Sequence, residues 1–160
     1  MLKKYLVGAI ALATLSFASS AFAAVNAEQA LQIARKEVPA ESVVFGLKEE
    51  GPKFVVNFRD NALFRDYDVD VAVADGKVLA LEIKGSNFVG STMCTKTEAD
   101  VKNAILAAYP DAKDIAVSFN QQGENNKVYT ATFNTAKFSS VDVEVSPVTC
   151  ALGKCKMIYR

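Results

Sequence analysis

The chain has 160 residues, 51% hydrophobic and 22% charged, with 18 basic and 18 acidic side chains and no histidine. A balanced charge without a basic block gives nothing to draw it to nucleic acid or to an anionic membrane. The missing histidine removes the usual general base near neutral pH, the Ser-His-Asp and Cys-His constellations and the commonest zinc ligand.

Lys3 and Lys4 form a short basic start, Tyr5 to Ala18 is almost wholly apolar or small, and Ala21-Phe22-Ala23 follows. A charged start, an apolar middle and a small-x-small end make a secretory signal peptide over residues 1–23, with the mature chain starting near Ala24. The competing reading is an N-terminal anchor, but the apolar run is shorter than the roughly 20 residues a span needs. Export through a cleaved signal predicts a periplasmic or secreted protein with no stable membrane anchoring after cleavage. Without Lys3 and Lys4 the mature chain carries two more acids than bases.

Asn26, with Gln29 three residues on, opens a helical pattern as a capping box. Ala27, Ala30, Leu31, Ala34 and Val38 recur at helical spacing, and Pro39 ends it. Val43, Phe45 and Leu47 then alternate, Gly51-Pro52 turns, and Phe54, Val56 and Phe58 alternate again. Tyr67, Val69, Val71 and Val73 follow, Asp75-Gly76 makes a tight hairpin, and Leu79, Leu81 and Ile83 complete the set. Gly85 to Thr95 carries glycine and serine and ends beside Cys94, as a joint would.

The order then repeats. Thr97 with Asp100 opens a second helix with Val101, Ala104, Ile105 and Ala108 on one face, ended by Pro110. Val38-Pro39 and Tyr109-Pro110 are 71 residues apart. Three more alternating sets follow: Ile115, Val117 and Phe119; Tyr129, Ala131 and Phe133; and Val141, Val143 and Val145. Gly153 sits in the last turn, before Met157 and Tyr159. Each half therefore predicts an α+β module of one helix packed on a four-stranded antiparallel sheet. The expected organisation is a signal peptide over 1–23, module 1 over 24–84, a linker over 85–94 and module 2 over 95–160. Units this small have thin cores, so the halves are expected to pack together or to gain a covalent staple.

The order Ala30, Ile33-Ala34, Val38-Pro39, Gly51, Phe54, Tyr67-x-Val69-x-Val71 and Gly76-x-Val78-Leu79 resembles the PepSY domain over residues 26–84. The second copy, over 95–160, rests on its helix, Tyr109-Pro110, Phe133 and the valine run. The tandem is similar in architecture to the secreted β-lactamase inhibitory proteins. PepSY domains occur in propeptides of thermolysin-like secreted proteases and as stand-alone exported modules. The resemblance therefore implies a protein or peptide partner, such as a protease that the chain restrains. One departure stands out: Ala72 and Asp75 occupy the Asp and Thr places of the family's Asp-Ala-x-Thr-Gly turn.

Asp66, Asp68 and Asp70 form a D-x-D-x-D run. An EF-hand loop starting at Asp66 needs Gly at its sixth place and Glu at its twelfth, where Val71 and Lys77 stand, so no metal site is expected. The alternation with Tyr67, Val69 and Val71 puts the carboxylates on the polar face of a strand, about 7 Å apart. Asp142 and Glu144 repeat the arrangement. These five acids are either a solvated face moderated by neighbours such as Arg59 and Lys84, or a docking face for a basic partner or a loosely held cation. Phe64, Tyr67, Phe88 and Phe138 lie near strand ends or loops. They either plug thin cores or anchor an interface.

Three cysteines remain after signal removal. Cys150 and Cys155 bracket Ala151-Leu152-Gly153-Lys154, which reads as a hairpin loop whose flanks could be bridged. Cys94 bridged to either one, or three free thiols, are the alternatives. No histidine is available to activate a thiol, and no G-x-S-x-G, Gly-rich phosphate loop or C-x-x-C occurs. The expectation is an exported binding protein with no catalytic residues and no cofactor. The alternative is a periplasmic small-ligand or cation-binding protein using its acidic sheet faces.

Overall fold

The computed structural model describes residues 24–85, 89–121 and 126–160. The expected signal peptide, the middle of the expected linker and Phe88 therefore lie outside the described residues. Helix α1 spans Ala27–Ala34, and both arms of its capping box form between Asn26 and Gln29 at 2.9 Å. A 3-10 turn at Arg35–Glu37 extends it, and Val38 turns extended at φ −124°, the conformation that a following proline favours. Helix α2 spans Glu98–Ala108 and starts on the reciprocal box between Thr97 and Asp100.

The strands are β1 (Val43–Glu50), β2 (Lys53–Asp60), β3 (Arg65–Ala72), β4 (Val78–Gly85), β5 (Lys113–Gln121), β6 (Lys127–Asn134), β7 (Phe138–Val145) and β8 (Leu152–Tyr159). They form one antiparallel sheet in the order β1-β2-β3-β4-β8-β7-β6-β5. This corrects the expectation of two modules, each with a helix on its own four-stranded sheet. The halves fuse edge to edge, with Ala80, Leu81, Glu82 and Ile83 of β4 opposite Ile158, Met157, Lys156 and Cys155 of β8. A free β4 would expose a row of unpaired N–H and C=O groups, and so would a free β8. Joining them satisfies both rows.

Fusion also merges two thin cores into one. A single buried cluster runs from Ala30 and Ala34 of α1 through Phe54, Val56, Phe58, Tyr67, Val69, Val71 and Leu81. It crosses the seam at Cys155 and Met157 and continues through β7 and β6 to Val101 and Ile105 of α2. Phe58 is fully buried, a contribution of about 1.5–3 kcal/mol for such a side chain. Arg35 lies over its ring, with the guanidinium carbon 4.6 Å from the centroid.

The edge strand β1 departs from its expected pattern. Val43 and Phe45 are 56% and 59% exposed, and Val44 is the residue packed on the core. Val44 opposes the buried Phe58, and the register then slips between Val44 and Gly46. This bulge leaves Phe45 outside the ladder, on the Arg59 side, where the guanidinium lies 5.2 Å from its ring. Bulges are a common way of ending orderly pairing at a sheet edge.

Candidate partner-binding face

One face of the sheet carries the core; strict alternation sends the intervening side chains to the other. On β2 these are Lys53, Val55, Asn57 and Arg59, and on β3 Asp66, Asp68 and Asp70. On β4 they include Ala80, Glu82 and Lys84, on β8 Lys154 and Lys156, and on β7 Asp142 and Glu144. The register sets Lys53 against Ala72, Val55 against Asp70, Asn57 against Asp68 and Arg59 against Asp66. Sequence alternation therefore placed the five acids on a shared polar face, and fusion of the halves makes that face continuous.

The D-x-D-x-D stripe is paired acid by acid. Arg59 grips Asp66 through Nε and a terminal nitrogen at 2.7 and 2.8 Å. That hydrogen bonding holds the Asp66 carboxyl below its usual range. Asn57 donates to Asp68 at 2.7 Å, and Lys84 binds the other oxygen of Asp68. The same contact raises Lys84 above an ordinary lysine. Lys53 donates to Asp70 at 2.6 Å. The stripe is thus neutralised on the spot rather than offered as a run of bare charges. Among the described residues no three His, Cys, Asp or Glu side chains gather as a metal would need.

The second acidic pair is different. Asp142 is exposed and Glu144 half-buried, and among the described residues neither carboxylate takes part in a hydrogen bond or an ion pair. Asp142 stands opposite Lys156 on β8 and Thr132 on β6. Two shallow depressions mark this face. One, of about 410 Å³, is lined by residues including Lys53, Asn57, Asp68, Asp70, Glu82 and Lys156. The other, of about 470 Å³, is lined by residues including Glu82, Thr130, Thr132, Asp142, Glu144 and Lys156. Glu82 and Lys156 belong to both, so the two meet over the seam of β4 and β8. Lys154 bridges that seam to Glu82 at 3.5 Å.

Sequence reading missed Glu82, Lys154 and Lys156. Their signal was present, because Lys154 and Lys156 alternate with Cys155 and Met157. The pairing of β4 with β8 that makes them neighbours leaves no local mark. A second cluster was also missed. Glu37, beyond α1, accepts hydrogen bonds from Tyr159 at 2.5 Å and Lys137 at 3.1 Å. Lys137 also lies over the Tyr159 ring, 5.0 Å from its centroid, which ties the first half to the last strand.

The aromatic candidates divide. Tyr67 and Phe138 are buried, Phe138 packing edge-on against Tyr159 at 5.0 Å between centroids. Phe64 is 72% exposed at the β2–β3 turn with φ +50°. That turn is fixed by Asp60, which accepts from the N–H groups of Ala62 and Leu63 at 2.9 Å.

The cysteines are free: Cys94 exposed, Cys150 half-buried and Cys155 buried. The expected Cys150–Cys155 bridge is not formed, because the last hairpin turns earlier than its sequence indicated. β7 ends at Val145 and β8 begins at Leu152, so Cys150 belongs to the loop itself. Cys155 is a strand residue facing the core, opposite Val143 and Ile83. Burial pushes the Cys155 thiol up to about 12 and the Cys150 thiol up as well. Both shifts run away from the thiolate that nucleophilic chemistry needs.

No family model matches the chain, and no curated protein does. Among solved structures, the C-terminal domain of Bacillus megaterium YpeB is similar at 14% identity and a TM-score of 0.44. The match covers 82% of this chain and 62% of that one, so the chain spans under two thirds of its length. A DUF2874 family protein from Bacteroides uniformis is similar at 15% identity and a TM-score of 0.31, covering 81% of this chain and 87% of that one. At these scores neither likeness carries a fold or a function over to this chain.

Proposed function

We infer that this protein is an exported, non-catalytic binding module that takes a protein or peptide partner on the uncovered face of its sheet. The observation that carries the reading is the joined depression over β4 and β8, where both halves contribute lining residues. A face spanning the two halves has the breadth a polypeptide needs. The paired state of Asp66, Asp68 and Asp70 favours a polypeptide over a cation, since each carboxylate already has a protein donor. The PepSY-like residues of the first half agree with such a partner. The raised thiols and the absence of histidine agree with a role in which no bond is made or broken.

Export follows from the signal-like first 23 residues. Intact mass of secreted or periplasmic protein should place the mature start near Ala24. Full-length chain recovered from the membrane would count against export.

The face is tested by capture from an envelope extract, comparing the wild type with two variants. Asp142→Asn/Glu144→Gln removes the two unpaired acids and keeps their shape. Thr130→Arg puts a bulky cation into the depression. Both should retain the wild-type circular dichroism spectrum, and both should capture less of the partner. Equal capture by wild type and both variants would exclude the face.

A further inference from the structure

The sheet has two outer edges, β1 and β5, and they are not alike. β1 is interrupted by its bulge between Val44 and Gly46, and the ladder beyond it carries Lys48, Glu49 and Glu50. Bulges and charges are what keep an edge from pairing with another chain. On β5 the irregularity lies at the very start, between Lys113 and Ala116, beside Asp114 at φ +54°. From there Ala116 to Gln121 pair one to one with Thr132 to Lys127 of β6. Ile115 to Gln121 contains neither a charge nor a proline. Among the described residues no strand pairs with the outer side of β5, so its outward N–H and C=O groups stand open as a template.

The side chains of this run suit a copy of the same strand. Val117 and Phe119 lie on the core face, opposite Ala131 and Tyr129. Phe119 packs on the Tyr129 ring at 5.2 Å between centroids, yet 41% of it is exposed. On the other face Ala116 and Ser118 are short and exposed, and Asn120 donates to the Thr130 hydroxyl oxygen at 2.7 Å. Let an antiparallel copy approach with Ser118 opposite its own counterpart. Val117 then falls opposite Phe119, Ala116 opposite Asn120 and Ile115 opposite Gln121. The valine–phenylalanine pair forms twice, once on each side of the axis, and covers the exposed ring; aromatic–β-branched pairs are among the favourable cross-strand contacts. Lys113 and Asp114 fall outside the paired run. The same arrangement of β1 about Lys48 would oppose two lysines and set Leu47 against Glu49, so charge favours β5 and disfavours β1.

We propose that β5 is a self-association edge, through which two copies of this chain pair antiparallel about Ser118 into a two-fold dimer with one sheet running through both. Such a contact is isologous and closes on itself. The chain joins its own halves by the same kind of contact, β4 against β8. One strand pair buries little area, so the dimer exchanges with monomer rather than being permanent. No β5 residue lines either depression on the uncovered face, and self-association leaves both open.

The test is sedimentation equilibrium of the purified, processed protein over a wide concentration range. Reductant is present throughout, so that exposed Cys94 cannot link two copies. The wild type should pass reversibly from the monomer mass to twice that mass. Ser118→Lys sets like charges face to face and should weaken dimerisation roughly tenfold or more. Ser118→Asp should do the same, and an equimolar mixture of the two variants should recover the dimer. Val43→Lys on β1 should leave the equilibrium unchanged. Positions 43 and 118 are exposed, so all three variants should keep the wild-type circular dichroism spectrum. A wild type that stays monomeric at every concentration would overturn the proposal. So would a dimer that survives Ser118→Lys, a dimer that dissolves with Val43→Lys, or a mixture of the Ser118 variants that stays monomeric.

Discussion

Val89 packs over the backbone of Gly153 and leaves no room there for a side chain. A Cβ at Gly153 would sit 2.8 Å from both Val89 methyl carbons, and Val89 is only 9% exposed. Gly153→Ala should therefore cost about 1–3 kcal/mol in urea unfolding, the usual range for overpacking. Adding Val89→Ala should recover part of the loss. A neutral Gly153→Ala would mean that Val89 does not dock on β8. The Glu37 cluster makes a prediction about pH. Burial works to raise the Glu37 pKa, but the hydrogen bonds from Tyr159 and Lys137 outweigh it and leave the group below its ordinary 4.5. A depressed carboxyl contributes stability that is present above the unfolded pKa and lost as pH falls through the folded one. Melting temperature should therefore fall as pH drops below 4.5, and Glu37→Gln should flatten part of that fall. An identical profile for the variant would remove this cluster from the acid response.

Among the elements, β1 and β2 give the sharpest contrast. Phe58 on β2 is completely buried, whereas Phe45 on β1 is 59% exposed. Phe58→Ala should cost about 3–5 kcal/mol as a large-to-small core change. Phe45→Ala should stay within about 0.5 kcal/mol of neutral, as surface changes do. Comparable losses in chemical denaturation would mean that the bulge is misplaced. Both aromatics stand in alternating apolar runs, and the local pattern of the sequence does not tell them apart. Both helices, their capping boxes, all but the ends of the strands and the polar placement of Asp66, Asp68 and Asp70 were legible, because they depend on neighbours a few residues away. Three features were not legible. The bulge at Phe45 depends on an edge position, which sequence period does not encode. The Cys150–Cys155 reading failed because Ser146 to Ala151 form the turn instead, with Cys150 in a left-handed conformation. The pairing of Ala80–Ile83 with Cys155–Ile158 joins segments more than seventy residues apart, where the alternation of each strand fits a free edge as well as a central place.

For the whole molecule, fusion of the halves is what turns two small sheets into one broad face. Glu82, Lys154 and Lys156 become neighbours only through the seam, and the two depressions meet there. Hydrogen–deuterium exchange followed by peptide mass tests the seam directly. If β4 and β8 are central strands, peptides covering Ala80–Ile83 and Cys155–Ile158 should be protected as strongly as those of β2 and β3, and should open with them in one cooperative event. If those two segments instead exchange as fast as the edge strands β1 and β5, the halves do not share a sheet, and the continuous binding face does not exist.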